Sequence, residues 1–111
     1  MAALAYLKEQ GFTILATDWR CRFGQIDIVG EEDGTLVIVE VKARRTKFNG
    51  VPQESVDARK QQKLRTLLEL YRATTRRQKQ ACRIDVLALM LDEKLSVKSC
   101  EHIRDAVQDV Q

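Results

Sequence analysis

Asp27, Glu40 and Lys42 are the residues of this 111-residue chain whose types and spacing best suit catalytic chemistry. Asp27 lies in the largely apolar stretch 25–30, Glu40 in the β-branched stretch 36–42, and Lys42 follows Glu40 by two positions. Between the stretches runs Glu31-Glu32-Asp33-Gly34-Thr35, and Asp-Gly is a strong signal for a two-residue hairpin turn. A turn centred there sets Asp27 directly opposite Glu40, and Gln25 opposite Lys42. Because side chains alternate along a strand, Leu36, Ile38, Glu40 and Lys42 share one face, joined by Asp27 and Val29 from the partner strand. Opposed carboxylates with Cβ atoms about 5 Å apart repel, so the pair by itself destabilises a fold. A divalent cation reverses the sign: Mg²⁺ takes a few carboxylate oxygens and completes its shell with water and phosphate. The Val41 carbonyl is placed to reach such an ion. Lys42 is placed to orient a water or to offset charge on a phosphate. A polar strand edge is the competing reading, and a bulge in the hairpin would shift the register on which the pairing depends.

The elements that must position these residues follow from pattern. Residues 2–10 read as a short helix with Leu4 and Leu7 on one side and Gly11 as its stop. Residues 12–19, 25–30 and 36–42 read as three strands. Residues 47–54 hold Asn49-Gly50 and Pro52 and read as a loop. Ser55 is a candidate cap for a helix running to Thr74, in which Leu64, Leu67, Leu68 and Tyr71 keep helical spacing. Residues 75–80 form a basic connector. Residues 84–91 are a continuous apolar run of strand length, as expected of a strand covered on both faces. Residues 95–99 are a candidate last strand, followed by a tail. The order αβββαβ, with a further β at the end, predicts a single α/β domain over residues 1–111, a sandwich built on a central mixed sheet.

Composition restricts the setting. Hydrophobic residues make up 44% and charged residues 32%, a globular rather than a disordered profile. No apolar run approaches the ~20 residues that span a membrane, and residues 1–5 lack a basic n-region, so a cytoplasmic location is expected. Cys21, Cys82 and Cys100 form no CxxC pair and His102 is the only histidine, which argues against zinc and disulfides. Charge is unevenly spread: residues 42–83 hold thirteen Lys/Arg against three Asp/Glu, whereas both flanking segments are net acidic. Nucleic acid is the common partner of such a cationic block, and a solvated helix face is the alternative.

Gln61 extends the apolar helix stripe backwards, so it either points to the acidic pair or marks the margin of the core. Arg59, Lys60 and Lys63 on the exposed helix face are candidate phosphate contacts, together with Arg20, Arg22, Arg44 and Arg45 near the open end of the hairpin. Asp85, the acid in a buried-looking strand, is expected to be structural and paired with an arginine. Trp19 and Phe23 are candidates for base stacking or for the core. His102, read as part of the tail, receives no role.

Gly24-Gln25-Ile26-Asp27-Ile28-Val29, Val39-Glu40-Val41-Lys42-Ala43-Arg44 and Arg59-Lys60-Gln61 resemble the YraN family of uncharacterised bacterial proteins, UPF0102. Asp18-Trp19-Arg20-Cys21-Arg22, Arg83-Ile84-Asp85-Val86 and Glu101-His102-Ile103-Arg104-Asp105-Ala106 resemble it too. The resemblance implies a restriction-endonuclease-like three-layer sandwich related to Holliday-junction resolvases. It further implies Asp27 and Glu40 as metal ligands, Lys42 as the catalytic lysine, Mg²⁺ or Mn²⁺ as cofactor, and DNA, branched or damaged, as substrate, with a homodimer cutting paired strands. Two departures stand out. The family's first helix usually opens with Gly-Glu shortly before its Tyr-Leu, which here is Tyr6-Leu7, so that acidic position falls ahead of Met1 and Glu9 does not match it. Gln25 stands where a glutamate is frequent. The expected activity is a metal-dependent endonuclease. The alternatives are a catalytically silent nucleic-acid-binding module of the same fold and a purely protein-binding one.

Overall fold

In the computed structural model, which describes residues 2–45, 57–108 and 110, Asp33 and Gly34 both carry positive φ, 51° and 80°. They join strand β2 (Gly24–Glu32) to strand β3 (Thr35–Arg45). Two consecutive left-handed residues give a turn whose twist matches that of the flanking strands. The pairing runs from Glu32↔Thr35 to Ile28↔Val39 without a bulge, in the register the Asp-Gly turn predicts. Strand β1 (Thr13–Cys21) pairs antiparallel with the other edge of β2, with a register shift between Ile14 and Ala16.

Helix α2 (Ala58–Thr74) carries the chain over the sheet, so that β4 (Cys82–Leu91) lies parallel to β3. The parallel register is continuous from Leu36↔Cys82 to Arg45↔Leu91. Strand β5 (Val97–Ile103) adds antiparallel to β4 and completes a five-stranded mixed sheet of order β1-β2-β3-β4-β5. The apolar run of β4 is buried on both faces, as expected for a strand between two neighbours and two layers.

Alternation divides the core in two. Val29, Leu36, Ile38, Ile84 and Val86 point to Leu64, Leu67, Leu68 and Tyr71 of α2. Ile28, Val37, Val39 and Leu87 point the other way, to Ala3 and Leu7 of α1 (Ala2–Glu9) and to Phe12. Each large aliphatic side chain buried this way contributes roughly 2 kcal/mol, and the two clusters clamp the sheet between helices as a three-layer α/β sandwich. Trp19 belongs to the α2 side: its ring meets Tyr71 edge-on at 5.3 Å, so it packs in the core and is not placed to stack on a base. Among the described residues, no helix is long and apolar enough to cross a membrane.

Three sequence expectations are corrected. Asp57 caps α2, its side chain accepting from the Lys60 amide at 2.8 Å, and the candidate cap Ser55 and the loop 47–54 lie outside the described residues. The last strand starts later than residue 95 and runs on through Ile103, since pairing with β4 from Val86↔Ile103 to Leu91↔Val97 satisfies backbone groups that a tail would leave open. His102 is therefore a strand residue with partners.

Asp85 is fully buried, and four donors reach its carboxylate. Arg83 donates from Nε at 2.9 Å and from Nη2 at 3.2 Å, the Asp105 amide donates at 2.9 Å, and His102 Nε2 lies 2.8 Å away. With Nε2–H donated to Asp85, the neutral ring leaves Nδ1 to accept from the Tyr6 hydroxyl at 3.3 Å. Arg83 also bonds Glu32, and Arg104 joins it there. This network ties β4, β5, α1, the β2–β3 turn and the segment after β5 together. Burial pushes the Asp85 carboxyl up, but hydrogen bonds from His102, Arg83 and the Asp105 amide outweigh it and hold the group below the usual range. The Arg104 hydrogen bond does most to hold Glu32 down, against a smaller opposing effect of burial.

A close approach fixes the other end of the sheet. Gly24 closes the β1–β2 turn with φ 142°, and a Cβ there would sit 2.8 Å from Lys63 Cε and 3.7 Å from Leu67 Cδ1. The positive φ favours glycine at position 24, and a side chain there would displace the end of Lys63.

Replacing Asp85 by Asn should cost about 3 kcal/mol, since it leaves Arg83 with an incompletely paired charge in the interior, as read by urea denaturation. Asp85 and Glu32 titrate lower in the fold than in the unfolded chain. Their stabilisation is therefore complete above about pH 4 and is lost as pH falls through the folded values. Acid unfolding curves should show D85N with a shallower loss below that pH. Gly24→Ala should cost about 1–3 kcal/mol through the unfavourable φ and the contact with Lys63, measured the same way.

Candidate functional site

The ladder between β2 and β3 stops one pair short of Asp27 and Glu40. Where that pair would form, the Asp27 carboxylate turns to the backbone and Oδ2 accepts from the Val41 amide at 2.8 Å. The cause lies in β2 itself. Ile26 joins the α2-side core and Ile28 the α1-side core, although residues two apart in a regular strand share a face. The alternation breaks at Asp27. On β1 the facing position is Asp18, flanked by the pairs Thr17↔Ile28 and Trp19↔Ile26, and it holds φ 50°. The two breaks lie side by side and open the end of the sheet.

Asp27, Glu40 and Val41 line one open cleft of about 630 Å³ between this end of the sheet and the first turns of α2. The other walls are Arg20, Arg22, Lys60 and Lys63, with Cys21, Gly24 and Gln25. Asp27 also borders a smaller cleft on the α1 side with Leu4, Thr17, Asp18 and Val41. The larger cleft thus holds four basic and two acidic side chains, a positively charged concavity with carboxylates at one wall. Lys60 Nζ lies 3.1 Å from Glu40 Oε2, with the Glu40 side chain 11% and the Lys60 side chain 35% exposed. The Gln25 amide donates to Asp18 Oδ1 at 3.0 Å. A glutamate at position 25 would instead set a second carboxylate against Asp18, which gives the departure at Gln25 a local electrostatic rationale.

The other expected residues are dispersed. Lys42 follows on β3, half-buried and paired with Ala88, outside the lining of the cleft. Gln61 is half-buried one turn before Leu64 and also lies outside it. Arg59 is exposed on α2, and Arg44 and Arg45 are exposed at the end of β3, with Arg44 Nη1 donating to the Ala43 carbonyl at 3.2 Å. Phe23 sits at the tip of the β1–β2 turn, 50% exposed, with the Arg22 guanidinium 5.1 Å from its ring centroid.

The cationic block of the sequence is partly consumed inside the fold. Arg72 is buried and bonds Glu69, Arg77 bonds Glu31, Arg83 bonds Glu32 and Asp85, and Lys60 bonds Glu40. Lys60 was expected to face outward toward phosphate. It stands instead on the cleft wall, because Asp57 starts the helix and sets Lys60 in the first turn, above the end of β3. A sequence signal for this existed in Asp57, since Asp is among the preferred N-cap residues.

Two carboxylates and a backbone carbonyl are hard oxygen donors, and an open cleft leaves room for water and phosphate. That is the donor set of a magnesium-type ion, which retains several waters. Among the described residues, no three His, Cys, Asp or Glu side chains gather as a metal-ligating group, so an ion here would depend on water and ligand oxygens for the rest of its shell.

Known proteins are similar in sequence to this chain over most of its length. A relative from Moorella thermoacetica, named UPF0102 protein, is 40% identical over 105 residues, spanning 95% of this chain and 88% of the relative. One from Caldicellulosiruptor bescii, of the same name, is 40% identical over 94% of this chain and 88% of its own length. One from Syntrophus aciditrophicus is 43% identical over 80% of this chain and 70% of its own. The model of the family described as Uncharacterised protein family UPF0102 matches residues 1–89 and so includes α1, the β1–β3 meander, α2 and most of β4. On both grounds the chain belongs to the UPF0102 family.

Proposed function

We propose that this protein is a metal-dependent endonuclease, acting in the cytoplasm on DNA phosphodiester bonds, with Mg²⁺ or Mn²⁺ as its cofactor. The observation that carries the reading is the meeting of Asp27, Glu40 and Val41 with Arg20, Arg22, Lys60 and Lys63 in one cleft. Phosphodiester hydrolysis needs electrophilic help at phosphorus and a pathway for a nucleophilic water, together with cations that hold the polyanion. Asp27, Glu40 and the Val41 carbonyl would hold the metal, which supplies Lewis acidity and a more acidic water. Arg20, Arg22 and Lys63 would bind the phosphates flanking the scissile one and fix the register of the strand. Lys42, one alternation step along β3 from Glu40, would reach the site only from its rim, and its role is the catalytic one that family resemblance assigns. The restriction-endonuclease-like relationship, and branched or damaged DNA as preferred substrate, rest on that same resemblance. Cutting both strands of a duplex takes two such sites, which a homodimer would supply.

One observation favours a second reading, a nucleic-acid-binding module without chemistry. Glu40 is already neutralised by Lys60, and Asp27 is already engaged by the Val41 amide, so the acidic pair is satisfied without a metal. Such a module would bind DNA with strong salt dependence and no response to divalent ions.

Incubating the chain with linear, flapped and four-way DNA in Mg²⁺ or Mn²⁺ should yield metal-dependent nicks. Asp27→Ala and Glu40→Ala should each lower the rate by more than about tenfold, since even groups that merely support a metal ligand are worth about 10–100-fold. Undiminished cleavage by Glu40→Ala would remove this residue from the mechanism. Salt-sensitive binding without any cleavage by the wild-type chain would select the second reading.

A further inference from the structure

Among the described residues, Lys60 is the cation that pairs with Glu40. Its Nζ lies 3.1 Å from Glu40 Oε2, and its own backbone amide is bonded to Asp57 Oδ1 at 2.8 Å. The backbone is therefore anchored at the helix start while a flexible four-carbon stem carries the charge. A divalent ion on the Glu40 carboxylate would place like charges within a few ångströms of one another, at a side chain only 11% exposed. Their repulsion favours the departure of one of the two cations. The ammonium can move, and the cleft it would swing into is the one lined by Arg20, Arg22 and Lys63, where a polyanion would lie.

We propose that Lys60 is the exchangeable phosphate-binding cation of this cleft: it neutralises Glu40 in the free protein and passes to a nucleic-acid phosphate when a divalent metal takes its place on Glu40. The proposal rests on the metal site put forward above and adds a coupling to it. Metal binding releases a phosphate ligand, and phosphate binding removes the metal's competitor, so each ligand raises the other's affinity by the same factor.

Two titrations test this on the full chain, in the wild type, Lys60→Met and Lys60→Arg. One is calorimetry with Ca²⁺ alone, which occupies oxygen sites. The other is fluorescence anisotropy of a labelled DNA duplex in the presence of Ca²⁺. Lys60→Met should bind Ca²⁺ about fivefold more tightly, a modest factor because the ion pair is partly exposed. The same variant should bind DNA in Ca²⁺ about tenfold more weakly, having lost a charge-assisted phosphate contact. Lys60→Arg should stay near wild type in both. These opposite signs separate the proposal from misfolding, which weakens both ligands, and from a simple phosphate contact, which leaves Ca²⁺ affinity unchanged. Unchanged or weaker Ca²⁺ binding by Lys60→Met, or unchanged DNA binding, overturns the role of Lys60 while leaving the metal site standing. A wild-type chain that binds DNA but gives no Ca²⁺ binding overturns the metal site and this inference together.

Discussion

Over residues 36–39, strand β3 is paired on both sides. Hairpin pairing fixes it to β2 on one side, and an unbroken parallel register fixes it to β4 on the other. Each neighbour dictates which face every β3 side chain takes, and the two agree: Leu36 and Ile38 go to α2, Val37 and Val39 to α1. A slip by one residue on either side would invert all four and unpack both layers. The position of Glu40 on the α2 side, just past the last apolar pair, follows from that constraint. The cleft is thus a by-product of where the β3 hydrophobic run ends.

The fold is not uniform along this strand. Toward the β2–β3 turn, polar groups are gathered into the fully bonded network around Asp85, which locks β4 and β5 to α1. At the other end, β2 changes face at Asp27, β1 adopts φ 50° at Asp18, and the β1–β2 turn approaches α2 through Gly24. Irregular backbone of this kind costs free energy and persists where the rest of the structure enforces it. The saturated network at one end and the broken alternation at the other divide the sheet into a supporting half and a half open to ligands.

The electrostatics follow the same division. Several of the basic residues in the middle of the chain are bound by carboxylates, and the charge left for a polyanion is narrower than composition implies. Arg20, Arg22 and Lys63 supply it at the cleft, and the first two come from the net acidic N-terminal third rather than from the basic block. Local geometry rather than regional composition sets where a phosphate would lie.

Much of this architecture was legible in the sequence. Asp33-Gly34 specified the hairpin and its register, because consecutive left-handed residues are acceptable there and in few other places. The period of Leu64, Leu67, Leu68 and Tyr71 specified the inner face of α2, and the continuous apolar run specified a strand covered on both sides. Those features are local, and local sterics and periodicity suffice for them. The tertiary structure decided the rest. No periodicity announces that Asp27 breaks the alternation of β2, since the break depends on which core Ile26 and Ile28 each join. No spacing links Lys60 to Glu40, or His102 to Asp85 and Tyr6, because these contacts form only when elements distant in sequence are packed together. Hairpin register brought Asp27 and Glu40 to the same end of the sheet; that Lys60 rather than Lys42 lines the cleft beside them was settled by the packing of α2 against the end of the sheet.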